Sequence, residues 1–366
     1  MKVLQVCMSR GFGGLELYVL NIINYFEKNN QDYTILCAKK SFIFDKLMNI
    51  NIIANTFSSP FHRLPILSAV KLARYIDKNK IDVVHAHWSK DLLFVVLAKI
   101  FSRRKVRLIF TRHMAISRKK KDVYHRFLYR HVDAYIVITK ELYNNTIRNL
   151  PLDKNRVHLL YHGVPVVEHN TDKCESFLAE KGIDENIFHL VIFGRIEEGK
   201  GQHFVIEAVN NLKKRGQPVQ LAMIGHIMDQ DYYAMLNSKI KEYDLEKNVL
   251  YLGFHNHPPS IMSCFDAVVL ATKCETFGLV LPEAMRAGVT VIGSDCGGVP
   301  EIIEHEKTGL LFETENPDDL SAQLLKIVTD KDTCEKLAVA GKNDADQRFS
   351  EETHFTELVK LMAAEK

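Results

Sequence analysis

Short apolar runs rich in β-branched residues punctuate the first part of the chain: VLQVCM, YTILCA, IDVVHAH, VRLIFTRH and AYIVIT. Between them lie longer amphipathic stretches of helical period, such as LELYVLNIINYFEKN and AVKLARYIDKNK. Strands apolar on both faces, alternating with helices, predict a parallel sheet covered on both sides. This rhythm fills residues 1 to about 165. A polar segment, HNTDKCESFLAEKGIDEN, then reads as a linker with a short helix. The alternation restarts with HLVIFGR, VQLAMIGH, VLYLGF, AVVLAT and VTVIGSD. The fold class predicted is α/β, with two doubly wound, Rossmann-like domains facing a cleft, over residues 1–170 and 171–345. The last segment, FSEETHFTELVKLMAAEK, adds an amphipathic helix over 346–366.

Composition agrees and narrows the picture. A chain of 366 residues is too long for one core and suits two domains. Its 46% hydrophobic and 25% charged residues are those of a soluble globular protein. The net charge of +3 names no polyanionic partner, yet its distribution is uneven. Residues 101–130 carry eleven Lys or Arg against one acid, Asp122. The seven cysteines form no CxxC pair and no zinc-site spacing, and several sit in apolar runs. Buried free thiols in a reducing compartment are expected. MKVLQVCMS reads as a strand rather than a leader, and no apolar run is long enough to span a bilayer. A cytoplasmic location follows as the expectation.

Ligands in open α/β sheets gather at the carboxyl ends of strands, so candidate chemistry is sought there. After the first strand comes SRGFGGLELYVL, where Gly11, Gly13 and Gly14 let backbone approach a ligand and a helix start favours an anion. The spacing is not that of the dinucleotide fingerprint, and a plain packing turn is the alternative. IFGRIEEGKGQHFVIEAV opens the second half, with Arg195 and Lys200 five apart among Gly194, Gly199 and Gly201. Two cations in a glycine-rich loop suit a diphosphate; two solvated surface cations are the plainer reading. A P-loop is excluded because GxxxxGK[ST] is missing.

The stretch ETFGLVLPEAMRAGVTVIGSDCGGVPEII puts Glu275 and Glu283 at the two ends of a segment otherwise fit for a core. Pro282 is tolerated only in a first helical turn, and Gly288 is a natural stop. Glu283 then stands near a helix start and Glu275 in the loop before it, while the amides of Phe277, Gly278 and Leu279 point outward unpaired. Amides for phosphate and acids for hydroxyls together describe a sugar nucleotide. Acids attracted by the helix's own dipole are the alternative.

Taken together these residues resemble the family 4 retaining glycosyltransferases, which have the two-domain GT-B fold. Glu275 to Glu283 matches that family's E-x7-E signature, GRIEEGKG its G-R-x4-K-G loop, GGLE at 13–16 its N-terminal glycine loop, and GGVPEII at 297–303 the following segment. The resemblance implies that Arg195 and Lys200 hold the donor diphosphate, that Gly13, Gly14 and Glu16 form the loop approaching it, and that Glu283 takes the ribose hydroxyls. Glu275, with the amides of Phe277, Gly278 and Leu279, would hold the transferred sugar. His113, in LIFTRHM, would stand beside the reacting carbon; a core histidine is the alternative. The first domain would bind acceptor, the second the nucleotide sugar, and the final helix would cross back to the first. The chain departs from the family's usual residues at His162, often Asn, and at Ala271-Thr272, often Pro-Ser.

Catalytic roles thus fall on Glu275, His113, Arg195 and Lys200, with no metal and no cofactor expected. Asp229-Gln230-Asp231 mimics the metal-binding D-x-D of the other glycosyltransferase fold, but opens a helical stretch where such acids are ordinary. The implied reaction moves a hexose, with retention, from a UDP-sugar as expected donor to a glycan or lipid-linked acceptor of bacterial envelope polysaccharide or lipopolysaccharide. The base would be read around Leu252 and Gly253. The basic stretch 101–130 suits peripheral contact with an anionic membrane; a solvated basic face is the other reading, and no nucleic-acid motif accompanies it. The rival functions are a sugar-nucleotide 2-epimerase of the same fold and an inactive nucleotide-sugar-binding subunit.

Overall fold

The computed structural model describes residues 1–11, 13–50, 52, 54–56, 65–166, 171–184 and 187–364. Of the polar linker, residues 169, 170, 185 and 186 lie outside this set. The chain divides into two compact units: Met1–Tyr161 with Glu352–Lys366, and His162–Glu351.

The first unit is built on β1 (Val3–Cys7), β2 (Tyr33–Cys37), β3 (Asn55–Thr56), β4 (Val83–Ala86), β5 (Arg107–Arg112), β6 (Ala134–Val137) and β7 (Val157–Leu159). They pair in parallel in the order β3-β2-β1-β4-β5-β6-β7. The second unit uses β8 (Phe188–Phe193), β9 (Val219–Ile224), β10 (Val249–Tyr251), β11 (Ala267–Leu270), β12 (Thr290–Ser294) and β13 (Leu310–Phe312), in the order β10-β9-β8-β11-β12-β13. Each order reverses direction once, between β1 and β4 and between β8 and β11. Such a reversal leaves the loops on either side of it diverging, which opens a crevice at the strands' carboxyl ends.

The central strands are buried along their whole length, as their unbroken apolar runs require. The strands that pattern reading passes over, β3, β7 and β13, have only two or three residues, too few to show a period. The final helix, Glu351–Ala363, buries Phe355, Leu358 and Met362 against Val3, Tyr18, Ile22 and Phe26, so its apolar face belongs to the first unit. No helix among the described residues is long and apolar enough to cross a membrane.

The cysteines depart from expectation. Cys174, in the helix Thr171–Glu180, is joined to Cys264 by a disulfide, so these two are not free thiols. The pair lies 90 residues apart in sequence, beyond the reach of spacing rules. Cys7, Cys37 and Cys334 are buried and free as expected, whereas Cys274 is exposed.

Candidate functional site

At the second unit's reversal, the loop after β8 runs Gly194 to Gly201 and the loop after β11 runs Ala271 to Leu279. They are fitted closely. Gly201 adopts φ +72°, and a Cβ there would lie 1.9 Å from the Ala271 carbonyl oxygen, so only glycine lets the two backbones pass. Thr272 donates its hydroxyl hydrogen to the Gly199 carbonyl at 3.0 Å, and the Lys273 amide reaches the same oxygen at 3.2 Å. Gln202 donates to the Arg195 carbonyl at 2.8 Å, fixing the loop's near end.

This fit brings Lys200 to Glu275: Nζ lies 3.0 Å from Oε2, both side chains about a quarter exposed. Residues 75 apart in sequence thus share one ion pair across the crevice. Arg195 is not part of it. Its guanidinium, nearly half exposed, pairs with Glu197 at 2.8 Å. The two cations share the loop, each already matched to an acid.

The Glu275 loop is braced from beneath. Gly298 donates its amide to the Glu275 carbonyl at 3.0 Å, and Gly297, at φ +56°, leaves no room for a Cβ, which would sit 1.9 Å from that same oxygen. The GGVPEII segment therefore acts as a seat for Glu275. Phe277 is buried, its ring edge-on to His162 at 5.2 Å and to Phe349 at 5.9 Å. Its side chain anchors the loop, so only its backbone is available to a ligand. Among the described residues, the amides of Gly278 and Leu279 have no acceptor.

The helix after this loop is Val280–Arg286, with Leu279 as its cap residue, Pro282 in the first turn and Gly288 just past its end. Glu283 is only partly accessible in that first turn, and desolvation pushes its carboxyl up to about 8. The Asp229 carboxylate accepts from the Tyr232 amide at 3.0 Å and caps the helix Gln230–Glu242, which accounts for the D-x-D sequence.

The first unit's carboxyl edge is of another kind. After β1, Gly13 caps and Gly14 begins the helix Gly14–Lys28. Glu16 turns inward: it is buried, accepts from the Ser9 hydroxyl at 2.5 Å, and lies 3.3 Å from where a Gly11 Cβ would stand. It shapes the glycine loop rather than presenting a carboxylate. Across the β1/β4 reversal, buried Asp91 accepts from the Met8 amide at 2.9 Å, and burial pushes its carboxyl up to about 7.

His113 follows β5, buried and with its ring nitrogens shielded from solvent. Its ring packs on Tyr18 at 5.1 Å and on His87 at 5.8 Å, and burial holds its pKa well below the usual imidazole value. It belongs to a buried cluster that pattern reading overlooks. His354 Nδ1 faces the Tyr161 carbonyl at 2.6 Å, so that nitrogen carries the hydrogen; Nε2, 2.9 Å from the Tyr18 hydroxyl, must accept. His85 Nε2 lies 2.7 Å from the Thr111 hydroxyl in the same cluster. One directed chain runs from Tyr18 through His354 to Tyr161, the last residue before the chain enters the second unit. A period-2 signal was available: Gln5, His85 and His87 are polar positions inside runs otherwise read as apolar.

Comparisons with known proteins agree with this layout. Residues 12–168 match the family described as Glycosyltransferase Family 4, and residues 175–344 match Glycosyl transferases group 1. The N-acetyl-alpha-D-glucosaminyl L-malate synthase of Bacillus anthracis is 23% identical over 304 residues, covering 81% of this chain and 78% of that protein. A Campylobacter jejuni enzyme, N-acetylgalactosamine-N,N'-diacetylbacillosaminyl-diphospho-undecaprenol 4-alpha-N-acetylgalactosaminyltransferase, is 26% identical over 298 residues, 79% and 77% of the two chains. Among solved structures, Anabaena Alr3699/HepE in complex with UDP superposes with a TM-score of 0.88 at 22% identity, covering 99% of this chain and 100% of that one. The family matches fall on the two units in turn, and the fold they share is GT-B: the chain belongs to the glycosyltransferases, family 4 in its N-terminal part and group 1 in its C-terminal part.

Proposed function

We propose that the protein is a retaining hexosyltransferase that takes its sugar from a UDP-sugar and passes it to a glycan or lipid-linked acceptor in envelope polysaccharide synthesis. The observation that carries this reading is the Lys200–Glu275 pair, seated at the second unit's reversal beside the open amides of Gly278 and Leu279. Without donor, Glu275 neutralises Lys200. A diphosphate competes for that ammonium better than a lone carboxylate does, because it offers several charged oxygens. Lys200 would turn to the phosphate, Arg195 would leave Glu197 for the same group, and Glu275 would be left to accept hydrogens from sugar hydroxyls.

Charge then develops on the leaving phosphate as the anomeric C–O bond breaks, where the two cations are already placed. The acceptor oxygen bonds to the same face of the anomeric carbon, and its proton passes to the departing diphosphate. Cations fixed in the loop do what a metal would otherwise do, so turnover is expected to persist with chelator. Glu283 takes the ribose hydroxyls. In the first unit, Gly13 and Gly14 serve the donor with Glu16 as their brace, and His113 serves the reacting sugar. The UDP held by the Anabaena protein supports the donor base, and the diphospho-undecaprenol in the Campylobacter enzyme's name supports the acceptor class. Peripheral contact with an anionic membrane belongs to the same reading.

The test is thermal stabilisation of the purified protein by UDP-, GDP- and ADP-sugars, followed by release of the nucleoside diphosphate with acceptor supplied. UDP-sugars are expected to stabilise most. Epimerisation of the donor without any acceptor would overturn the transferase assignment.

A further inference from the structure

The helix behind the Gly278 and Leu279 amides is short: at 1.5 Å per residue, the seven residues Val280–Arg286 span about 10 Å. A tilt or slide at its far end is therefore felt at its first turn. A cation in a last turn suits the helix dipole from the surface. Arg286 is not at the surface; it is 8% exposed. Its Nε lies 2.9 Å from Asp346 Oδ1, and its Nη1 donates to the Val164 carbonyl. The partly exposed Lys342 takes the other Asp346 oxygen at 2.6 Å.

The two partners stand where the chain joins the second unit. Val164 is the third residue of that unit, and its amide donates to the Phe349 carbonyl at 2.9 Å, two residues before the unit's last, Glu351. Asp346 belongs to the last turn of the helix Lys331–Arg348, and this turn reaches the rest of the donor edge as well. Arg348 donates to the Glu301 and Ile302 carbonyls, at the end of the segment whose glycines seat Glu275. Phe349 sets its ring edge-on to Phe277 at 5.9 Å. Stability alone does not require a buried guanidinium here, because a well-packed apolar residue generally serves a fold as well as a buried ion pair. The planar fork adds direction: bonds to two separate partners fix both the place and the rotation of the helix end.

We propose that Arg286 is a positioning residue for the donor. By holding Asp346 and the Val164 carbonyl together, it keeps Val280–Arg286 in the orientation that aims the Gly278 and Leu279 amides and Glu283 at the bound nucleotide. This deepens the donor side of the proposed transferase function and rests on that reading for the choice of UDP as probe, while one arm of its test uses no ligand.

The experiment joins amide hydrogen exchange to calorimetry of UDP binding, on the full chain, for Arg286→Lys, Asp346→Asn and the control Lys342→Met. In the ligand-free protein the first two are expected to speed exchange about tenfold at Leu281 and Glu283, whose amides close the first turn on Gly278 and Leu279. Exchange in β9 and in the helix Gln230–Glu242 should stay as in wild type. UDP affinity should fall about tenfold or more, as for one misaimed hydrogen bond to a charged phosphate. Lys342→Met should change neither reading. Wild-type exchange and affinity in both variants overturn the proposal. So does exchange raised evenly across the second unit with UDP affinity intact, which marks a residue of structural role only. Failure of the wild type itself to bind UDP would strike the donor assignment instead, and the ligand-free exchange would still decide for or against Arg286.

Discussion

The two carboxyl edges, alike in topology, are filled with opposite kinds of chemistry. In the first unit the strand ends hold a buried polar cluster: His85, His87, Tyr18, His113 and His354 are all buried, and the hydrogens from Tyr18 through His354 to Tyr161 run in a single direction. In the second unit they hold charged side chains on exposed loops, Lys200 with Glu275 and Arg195 with Glu197. A buried neutral network gives shape and cannot change partners cheaply. Partly exposed ion pairs contribute little stability and can be exchanged for a ligand's charges. One edge is a frame; the other is built to let go.

The largest expected effect tests the second edge. Lys200→Met and Glu275→Gln should each lower kcat by about 10²–10³-fold, the range found when one group aimed at developing charge is removed. Melting temperature should scarcely move, because a partly solvated pair adds little to the fold. Lys273, which pairs with Glu198 and Glu315 on the exposed rim, serves as control: Lys273→Met should stay within about twofold. Rates of labelled-sugar transfer settle it. A large loss of stability in Lys200→Met with unchanged kcat would erase the contrast between the edges.

Acid tests the first edge. Burial lowers His85 to about 3 and His354 to about 4, with His113 lowered as well, against about 6.5 in an unfolded chain. Between those limits the unfolded state binds more protons, so the stability these groups hold at neutral pH is lost as pH falls from about 6.5 toward 4, by a few kcal/mol in all. Asp91 works against this in the same unit. Its raised pKa means that its protonation favours the fold as pH drops through about 7. In the second unit His203 and His255 are lowered, but both are only half-buried. The chain's single tryptophan, Trp88, lies beside His87 in the first unit and reports on it alone. Its emission should shift at a higher pH than the main loss of far-ultraviolet dichroism. Coincident transitions would show that the cluster does not set acid stability.

How much of this was legible in sequence differs between the edges for the same reason. Glu275, Lys200 and Gly201 sit in glycine-rich loops between apolar runs, where charge is conspicuous and spacing is constrained by the turn. Their pairing across 75 residues needs only the β8/β11 adjacency that a doubly wound sheet supplies. His354 meets Tyr18 across 336 residues, through a terminal helix that returns to the first unit, and nothing local signals that. Glu16 was legible as an acid in a glycine loop, yet not its inward turn, which follows from Ser9 standing within reach. The Cys174–Cys264 link was lost to the same distance.

Tyr18→Phe probes the chain of hydrogen bonds with a smaller effect. The ring contacts stay, but His354 Nε2 loses its donor while remaining buried, which typically costs about 1–3 kcal/mol. The loss should be local: faster amide hydrogen exchange in Glu351–Ala363, with the second unit unchanged. Exchange rising equally in both units would mean the network supports more than this frame.

The smallest effect is a proton. Glu283, with its carboxyl pushed to about 8, is largely protonated at neutral pH in the ligand-free protein. In the proposed donor complex, ribose hydroxyls donating to it favour the charged form, so donor binding is expected to lower its pKa and expel a fraction of a proton near pH 7. Calorimetry of UDP binding in buffers of different ionisation enthalpy reads that fraction directly. It should fall toward zero well above pH 8, where the group is already ionised, and vanish in Glu283→Gln. Affinity should accordingly rise with pH up to about 8 and then level. A proton count that survives Glu283→Gln would move the titrating group elsewhere and leave the proposed ribose contact without its acid.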